Sequence, residues 1–533
     1  MNKEHPAQPI VWDRHPRFRW YSLLASVLAF LLVLFTLDDP GLTVDEPLDV
    51  APGRQYLQLL SQSGMRFWSP QVINATYVNN REHPPLGRWL LGLSSVLFEP
   101  MEAQIRGPDP SGLYVRSGRV APAFAFGLIM LLVVRWAGKV GGPQAALGAG
   151  LSLLFMPRLF AHAHLAVLDT FVALTWTSAF LAQVNACEVR SWKSWAGATG
   201  LTALALLTKL HGWLLFPAIL IWLLVRRPGW ATTLYLALAM LVAVLLFFIG
   251  WPWLWIDPVG RLGDFFRTGV ARLPIRVLYF GKVYQDMEIP WHYPWFYSAV
   301  TVPIGVLLLG LVGGVRSLQT RAFDPRPMAL LLAIGFWLIL FSTKVPVYDG
   351  ERLYLPVFPL LAILAGLGFA SLWDRLRVSW ARAILAGVLI IQGVGLITYH
   401  PFQLSYFNLL VGGLPGAERL GLELTYWGDA VDDRLLDRLA ELAPRGATVA
   451  RVPTLAPNQG IFATTRPLFR KEIIIQDQEQ RNRSDWLVID RRTAYWPEEL
   501  PKFLNENPPI YLRTIHGVWL SGIWKRSDGK TSE

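Results

Sequence analysis

Cysteine is almost absent: the single Cys187 cannot form an intramolecular disulfide, so no covalent staple supports any part of the chain. Charge is scarce as well. Only 16% of the 533 residues are charged against 53% hydrophobic, and a mean hydropathy of +0.35 is too apolar for a soluble globular chain. Several motifs are also missing. No Gly-rich phosphate loop follows a strand in the part assigned to the cytoplasmic side, which argues against a bound nucleotide. No Asp-x-Asp stands in the first long loop to hold a divalent ion, and no repeat at solenoid periods occurs. The first apolar run lacks a small-residue cleavage site, so it reads as a retained anchor rather than a signal peptide.

What the chain does have is a series of apolar runs, at 20–37, 117–135, 144–161, 166–186, 195–208, 212–225, 230–250, 297–314, 327–343, 353–373 and 383–398. Each is near the length a bilayer core requires. Backbone polar groups cannot be left unpaired in hydrocarbon, so the spans are expected to be helices. The fold class is therefore a multi-pass α-helical membrane protein of about 11 transmembrane helices with a small C-terminal α/β domain. Residues 1–414 form the membrane unit, with a first outer loop at about 38–116 and a second at about 251–296, and 415–533 form the α/β domain. In that domain the apolar runs shorten to strand length, at 447–452, 472–475, 486–490 and 518–524. Before them, Leu435, Leu436, Leu439 and Leu442 recur at helical spacing.

Basic residues supply the orientation. Arg14, Arg17 and Arg19 precede the first span, and Arg135 with Lys139, Arg190 with Lys193, Arg226 with Arg227, Arg316 with Arg321 and Arg326, and Arg375 with Arg377 and Arg382 fall in every second connection. Such connections face the cytoplasm. The N-terminus is then inside, and the first loop, 251–296, 344–352 and everything after Tyr399 are outside, in an inner (plasma) membrane protein with a periplasmic C-terminal domain. The net charge of +11 and the pI near 9.7 are a topology signal, and nucleic acid is not an expected partner.

Chemistry concentrates on the outer side. Asp45-Glu46, just past the first span, either caps the stretch from Gly53 to Leu60, where Tyr56, Leu57 and Leu60 suit a membrane surface, or offers a general base to an incoming hydroxyl. The same loop later carries Arg81-Glu82-His83-Pro84-Pro85-Leu86-Gly87-Arg88. His83, Arg88, Arg116, Arg119, Lys209, Lys344 and Arg352 all sit outside or at the outer edge. Singly, such residues snorkel to headgroups; together they suit a lipid phosphate. Asp169 marks either an ion pair, with Arg119 as a candidate, or a polar cavity. His162 and His164 lack a third placed ligand, and a metal-independent reaction without cofactor is expected. The turn from Lys344 to Pro356 is either a bare loop or a lid. The 251–296 loop, with Arg261, Arg267, Arg272, Arg276 and the Trp291 to Trp295 cluster, either closes over the same site or docks on the surface.

The order of these pieces resembles the protein O-mannosyltransferase and aminoarabinose transferase superfamily, which has the GT-C fold. Asp-Glu follows the first span, His-Pro-Pro-Leu-Gly-Arg comes late in the same loop, Arg116 to Arg119 opens the second span, Leu168-Asp169 the fourth, Thr208-Lys209 ends the fifth, and Lys344 to Arg352 precedes a late span. The similarity covers about 15–410. It implies an inverting glycosyltransferase that moves a sugar from a polyprenyl-phosphate donor to a hydroxyl on an extracytoplasmic acceptor: a lipid, glycan or protein. Carried over by motif, Asp45 is the general base and Glu46 its acidic neighbour, His83 and Arg88 lie near the donor phosphate, and Lys209, Lys344 and Arg352 are basic positions for that phosphate. Arg116, Arg119 and Asp169 complete the substrate-binding set. The chain departs from the mannosyltransferase pattern in lacking a trefoil-sized insert and ending in an α/β domain, which speaks against a protein acceptor. Two other classes compete: a transporter or flippase of lipid-linked sugars, which would carry charges near the midplane, and a non-catalytic scaffold, in which Asp45→Asn is silent.

Overall fold

The computed structural model describes residues 16–78, 81–270, 274–320, 324–453, 468, 471–476 and 484–526; Arg14, Arg272 and Arg321 lie outside them. The first apolar run folds as α1 (Pro16–Phe35), and the loop after it is largely helical, with α2 (Glu46–Ser63), α3 (Pro70–Tyr77) and α4 (Leu86–Arg106). α2 packs on α4 through glycines. A Cβ on Gly53 would lie 2.0 Å from the Arg88 carbonyl oxygen, and one on Gly92 would lie 2.1 Å from the Gly53 carbonyl carbon. Only residues without side chains let two helix backbones approach so closely. The crossing brings Asp49 of α2 against Arg88 of α4.

A single turn, α5 (Val115–Gly118), leads into the 35-residue α6 (Val120–Leu154). Straight, that helix would measure ~52 Å against a hydrocarbon core of ~30 Å. Gly142, at φ +79° and followed by Pro143, breaks it into two arms, which account for two of the apolar runs. Next come α7 (Pro157–His162), α8 (Asp169–Val189), α9 (Trp192–Thr208), α10 (Leu215–Arg226) and α11 (Trp230–Gly250). Between α8 and α9, Arg190 in the left-handed conformation ends one helix, and Ser191 with Ser194 forms a reciprocal capping box that starts the other. The second long loop holds α12 (Pro258–Val270) and a hairpin of β1 (Arg276–Tyr279) with β2 (Lys282–Gln285). The bundle closes with α13 (Tyr293–Thr301), α14 (Ile304–Thr320), α15 (Arg326–Leu340), α16 (Val357–Arg375), α17 (Ser379–Ile391) and α18 (Val394–Thr398).

All the apolar runs are helical in whole or in part, but the expected count of about 11 full spans is not what the helix lengths give. Among the described residues five helices are long and apolar enough to cross a membrane, or six if the α13–α14 pair, bent by 116°, is one span. Of the rest, α10 has 12 residues and α15 has 15, while α8 has 21 but is not apolar enough to be one of the five.

Beyond α19 (Gly413–Arg419) and α20 (Asp433–Leu442), the strands β3 (Thr448–Val452), β4 (Ile474–Gln476), β5 (Trp486–Asp490), β6 (Tyr511–Ile515) and β7 (Val518–Lys525) form one sheet in the order β4-β3-β5-β7-β6. β3 runs parallel to β4 and β5, and the other pairs are antiparallel. β6 has no counterpart among the strand-length runs expected from the sequence; it pairs with β7 across a hairpin at Gly517. Leu435 and Leu439 of α20 pack on Val449, Val488 and Ile523 of one sheet face. The domain is sewn to the first loop. Gly41 N–H donates to the Asp429 carbonyl at 2.8 Å and Val44 N–H to the Trp427 carbonyl at 3.1 Å. Asp433 binds Arg116 at 2.6 Å and Arg106 at 2.8 Å.

Candidate functional site

A cavity of about 440 Å³ opens where the first loop, the turn before α16 and the C-terminal domain meet. Asp45, Asp49, Glu82, His83, Arg88, Asp349 and Arg352 line it from the bundle side, and Trp427, Arg451, Asp490, Arg492 and Tyr495 from the other. The volume falls in the range of small-molecule sites, ~300–1,000 Å³.

Asp45 stands at the N-cap position of α2, but its side chain makes no capping bond. It faces Arg352 instead: Nη2 donates to Asp45 Oδ2 at 2.7 Å. Oδ1 of Asp45 has no hydrogen-bond partner among the described residues. The remaining donors of Arg352 are also used, Nε to Asp169 Oδ2 at 3.0 Å and Nη1 to Asp349 Oδ2 at 3.3 Å, and the guanidinium lies over the Trp427 ring at 4.1 Å. Lys209 Nζ in turn binds Asp169 Oδ1 at 2.8 Å. Lys209, Asp169, Arg352 and Asp45 thus form one alternating line of charge, three members of it largely buried. Such a line holds its end carboxylate in one orientation, because breaking any link strands a buried charge at a cost of about 3–5 kcal/mol.

A second cluster sits at the start of α4. Arg88 Nε donates to Asp49 Oδ1 at 3.0 Å and Nη2 to Glu82 Oε1 at 2.7 Å. Burial pushes the Asp49 carboxyl up to about 6 even though Arg88 opposes the rise. His83 is held well below its ordinary value by burial and by the charges of Arg88 and Lys209, so it stays neutral at physiological pH, and its Nδ1 has no partner among the described residues.

Several sequence candidates belong elsewhere. Glu46 is fully buried, and both its oxygens are taken by Arg119, by the amides of Thr43 and Ala166 and by the Thr43 hydroxyl, which leaves none for a substrate. Arg119 divides its donors between Glu46 and the carbonyls of Leu37, Pro40 and Gly41. It does not pair with Asp169, contrary to expectation. Arg116 holds Asp433 and the Asp38 carbonyl, a domain clasp rather than a ligand contact. Lys344 is exposed and does not line the cavity, and Lys209 reaches it only through Asp169. The two histidines do not converge: His164 binds Thr36 and the Phe160 carbonyl, while His162 lies edge-on to Trp427. Among the described residues no three His, Cys, Asp or Glu are grouped as metal ligands would be.

Sequence reasoning missed Asp49, Asp349, Trp427, Arg451, Asp490 and Arg492. Asp349 falls inside the turn read as a bare loop or a lid, which does supply Tyr348, Asp349 and Arg352 to the cavity, while the 251–296 loop adds Ile275 and, beside the cavity, its Arg276 amide donates to the Tyr495 hydroxyl at 2.9 Å. The C-terminal residues follow the rule for open α/β sheets: Arg451, Asp490 and Arg492 lie at or just past the carboxyl ends of the parallel strands β3 and β5.

Residues 82–253 match the family model of dolichyl-phosphate-mannose-protein mannosyltransferase, a stretch that holds His83, Arg88, Asp169 and Lys209. No curated protein matches the chain. Two crystal structures of ArnT from Cupriavidus metallidurans share its fold at 17% sequence identity. The apo form aligns with a TM-score of 0.53 over 95% of this chain and 97% of the other. The form bound to undecaprenyl phosphate aligns at 0.51 over 95% and 98%. The chain therefore has an ArnT-like GT-C fold, and within it residues 82–253 resemble the mannosyltransferase family.

Proposed function

We propose that the cavity transfers a sugar from a polyprenyl-phosphate donor to a hydroxyl of an extracytoplasmic acceptor, with inversion. One observation carries the reading: the Asp45 carboxylate, free of capping, is fixed through one oxygen by Arg352 and keeps the other at the wall of a polar cavity. In the reaction, the acceptor oxygen attacks the anomeric carbon as Asp45 Oδ1 takes its proton, and the bond from that carbon to the phosphate oxygen breaks. The phosphate leaves with its charge, which needs neutralisation rather than a proton. Arg88 and neutral His83 supply donors there, whereas Arg352, Asp169 and Lys209 position Asp45. Arginine in this role removes the need for a divalent ion.

The basic turns support an extracytoplasmic site. α8 and α9 bring Asp169 and Lys209 together at one end, while Arg190 and Lys193 occupy the turn at the other. The test uses purified protein in detergent, a polyprenyl-phosphate sugar and an envelope extract as the source of acceptor, with release of polyprenyl phosphate as the readout. Turnover is expected with EDTA present and to fall by about 10²–10⁴ in Asp45→Asn. A variant that turns over like the wild type removes the proposal, and loss of activity in EDTA removes its metal-free part.

A further inference from the structure

The charge on the cavity walls is unevenly satisfied. Three of its four arginines are neutralised at short range: Arg88 by Asp49 and Glu82 at 3.0 and 2.7 Å, Arg352 by Asp45 and Asp169 at 2.7 and 3.0 Å, and Arg492 by Asp349 at 3.1 Å. Arg451 is not. Its side chain is 15% exposed, and the nearest carboxylate oxygen, Asp490 Oδ2, is 3.9 Å away. Its hydrogen bond is a long one, 3.5 Å from Nη2 to the Gly428 carbonyl, and among the described residues Nε and Nη1 have no partner. Asp490 meanwhile accepts from the Thr425 hydroxyl at 2.8 Å. The guanidinium thus keeps donors that open to the cavity and are available to a ligand.

The backbone is shaped around that side chain. Gly428 has φ +83°, and a Cβ there would come within 1.9 Å of Arg451 Nη2, so the guanidinium rests directly on the chain. A fixed, planar, under-used fork of N–H donors suits a phosphate or carboxylate better than a neutral hydroxyl. The donor's phosphate is an awkward match. It stays at the depth of its lipid tail, where His83 and Arg88 open α4, whereas Arg451 projects from β3 of the domain that carries no apolar span among the described residues.

We propose that Arg451 docks an oxyanion carried by the acceptor, so that the C-terminal domain selects the acceptor while the bundle handles the donor. The proposal rests on the glycosyl-transfer reading of the cavity. It gives the α/β domain a substrate-recognising role: the acceptor is a hydroxyl compound with a phosphate or carboxylate near the reacting oxygen.

Wild type, Arg451→Ala and Arg451→Lys in lipid nanodiscs would be titrated with inorganic phosphate and with acetate, before and after saturation with undecaprenyl phosphate. Tryptophan fluorescence reports binding, since Trp427 borders the cavity. The expected result is that the wild type binds at least one of the two anions with the lipid already bound, and that Arg451→Ala weakens this about tenfold or more while Arg451→Lys keeps part of it. Undecaprenyl phosphate affinity stays within about twofold in all three. Equal anion binding by wild type and Arg451→Ala overturns the proposal, as does no binding by either. Competition between anion and lipid, or a loss of lipid affinity in Arg451→Ala, overturns it too, because Arg451 then serves the donor. Melting temperatures of the variants separate loss of the charge from loss of the fold, with the lysine form as the folded control. The donor reading is judged separately: if Asp45→Asn leaves turnover intact, that reading fails whatever the anion titration shows, and if only the titration fails, the acceptor proposal alone is lost.

Discussion

Successive residues entering a helix project about 100° apart, so at the start of α2 Asp45 and Glu46 cannot both face the cavity. Asp45 meets Arg352 there, and Glu46 turns inward to saturate Arg119. The sequence marks the pair as chemically notable, because two carboxylates at a membrane surface need partners. It does not say which one faces the cavity, since Arg352 is 307 positions away and Arg119 is 73, and no local pattern encodes either distance. Asp49 was illegible for the same reason, yet it leads to a pH prediction. Its carboxyl rises from an ordinary 3.8 to about 6 through burial. The folded protein therefore keeps a proton that the unfolded chain has released between roughly pH 4 and 6, so stability falls with rising pH in that window. The contribution is full below 3.8, is lost as pH passes about 6, and at ~1.4 kcal/mol per unit amounts to about 3 kcal/mol. Asp49→Asn cannot titrate, and its melting temperature is expected to fall less than the wild type's between pH 4 and 6.5. Parallel profiles for the two proteins would show that Asp49 is not the titrating group.

Helices were the most legible elements, because hydropathy is local and an apolar run in lipid has to be helical. What the runs do not encode is where helices bend or cross. Gly142-Pro143 joins two runs into one broken helix, and α13 turns sharply into α14. In the stretch from Gly53, Tyr56 is buried while Leu60 is exposed, and Gly53 itself is half of a glycine-on-glycine contact that registers Asp49 with Arg88. A methyl group at Gly53 would meet backbone atoms of α4, which cannot swing aside as a side chain can. Gly53→Ala is expected to lower stability by about 1–3 kcal/mol and to reduce turnover by displacing Arg88. Gly197→Ala is the control: it lies in α9, where an added methyl group would meet nothing within 4 Å, so helix propensity alone favours it by up to about 1 kcal/mol. Thermal unfolding and turnover of the two variants side by side would check the contrast, and equal behaviour would mean that the α2–α4 crossing has room to give.

At the level of the whole molecule, the strand-length runs after 415 are matched by a small sheet, and α20 lies close to where its helical spacing puts it. Its placement as a wall of the cavity was not readable, because that depends on ion pairs between segments hundreds of residues apart. Arg116, expected among the substrate-binding residues, and Arg106, which the sequence does not single out, both grip Asp433. Next to that clasp, Gly41 and Val44 pair by backbone with Asp429 and Trp427, so the first loop reaches Asp45 already bound to the C-terminal domain. Trp427 then lies under Arg352, which holds Asp45. Docking of the C-terminal segment and orientation of Asp45, the proposed base, are in this way one event. Asp433→Ala removes the C-terminal partner of both arginines, which keep Asp38, while touching neither the cavity lining nor Asp45. It is expected to weaken docking by about 1–3 kcal/mol, less than a fully buried pair because the aspartate is partly solvated. Hydrogen exchange at the Gly41 and Val44 amides should accelerate about tenfold or more, and turnover should fall with it although Asp45 is intact. Unchanged exchange with lost turnover would place Asp433 in the chemistry, and faster exchange with full turnover would uncouple the domain from the base.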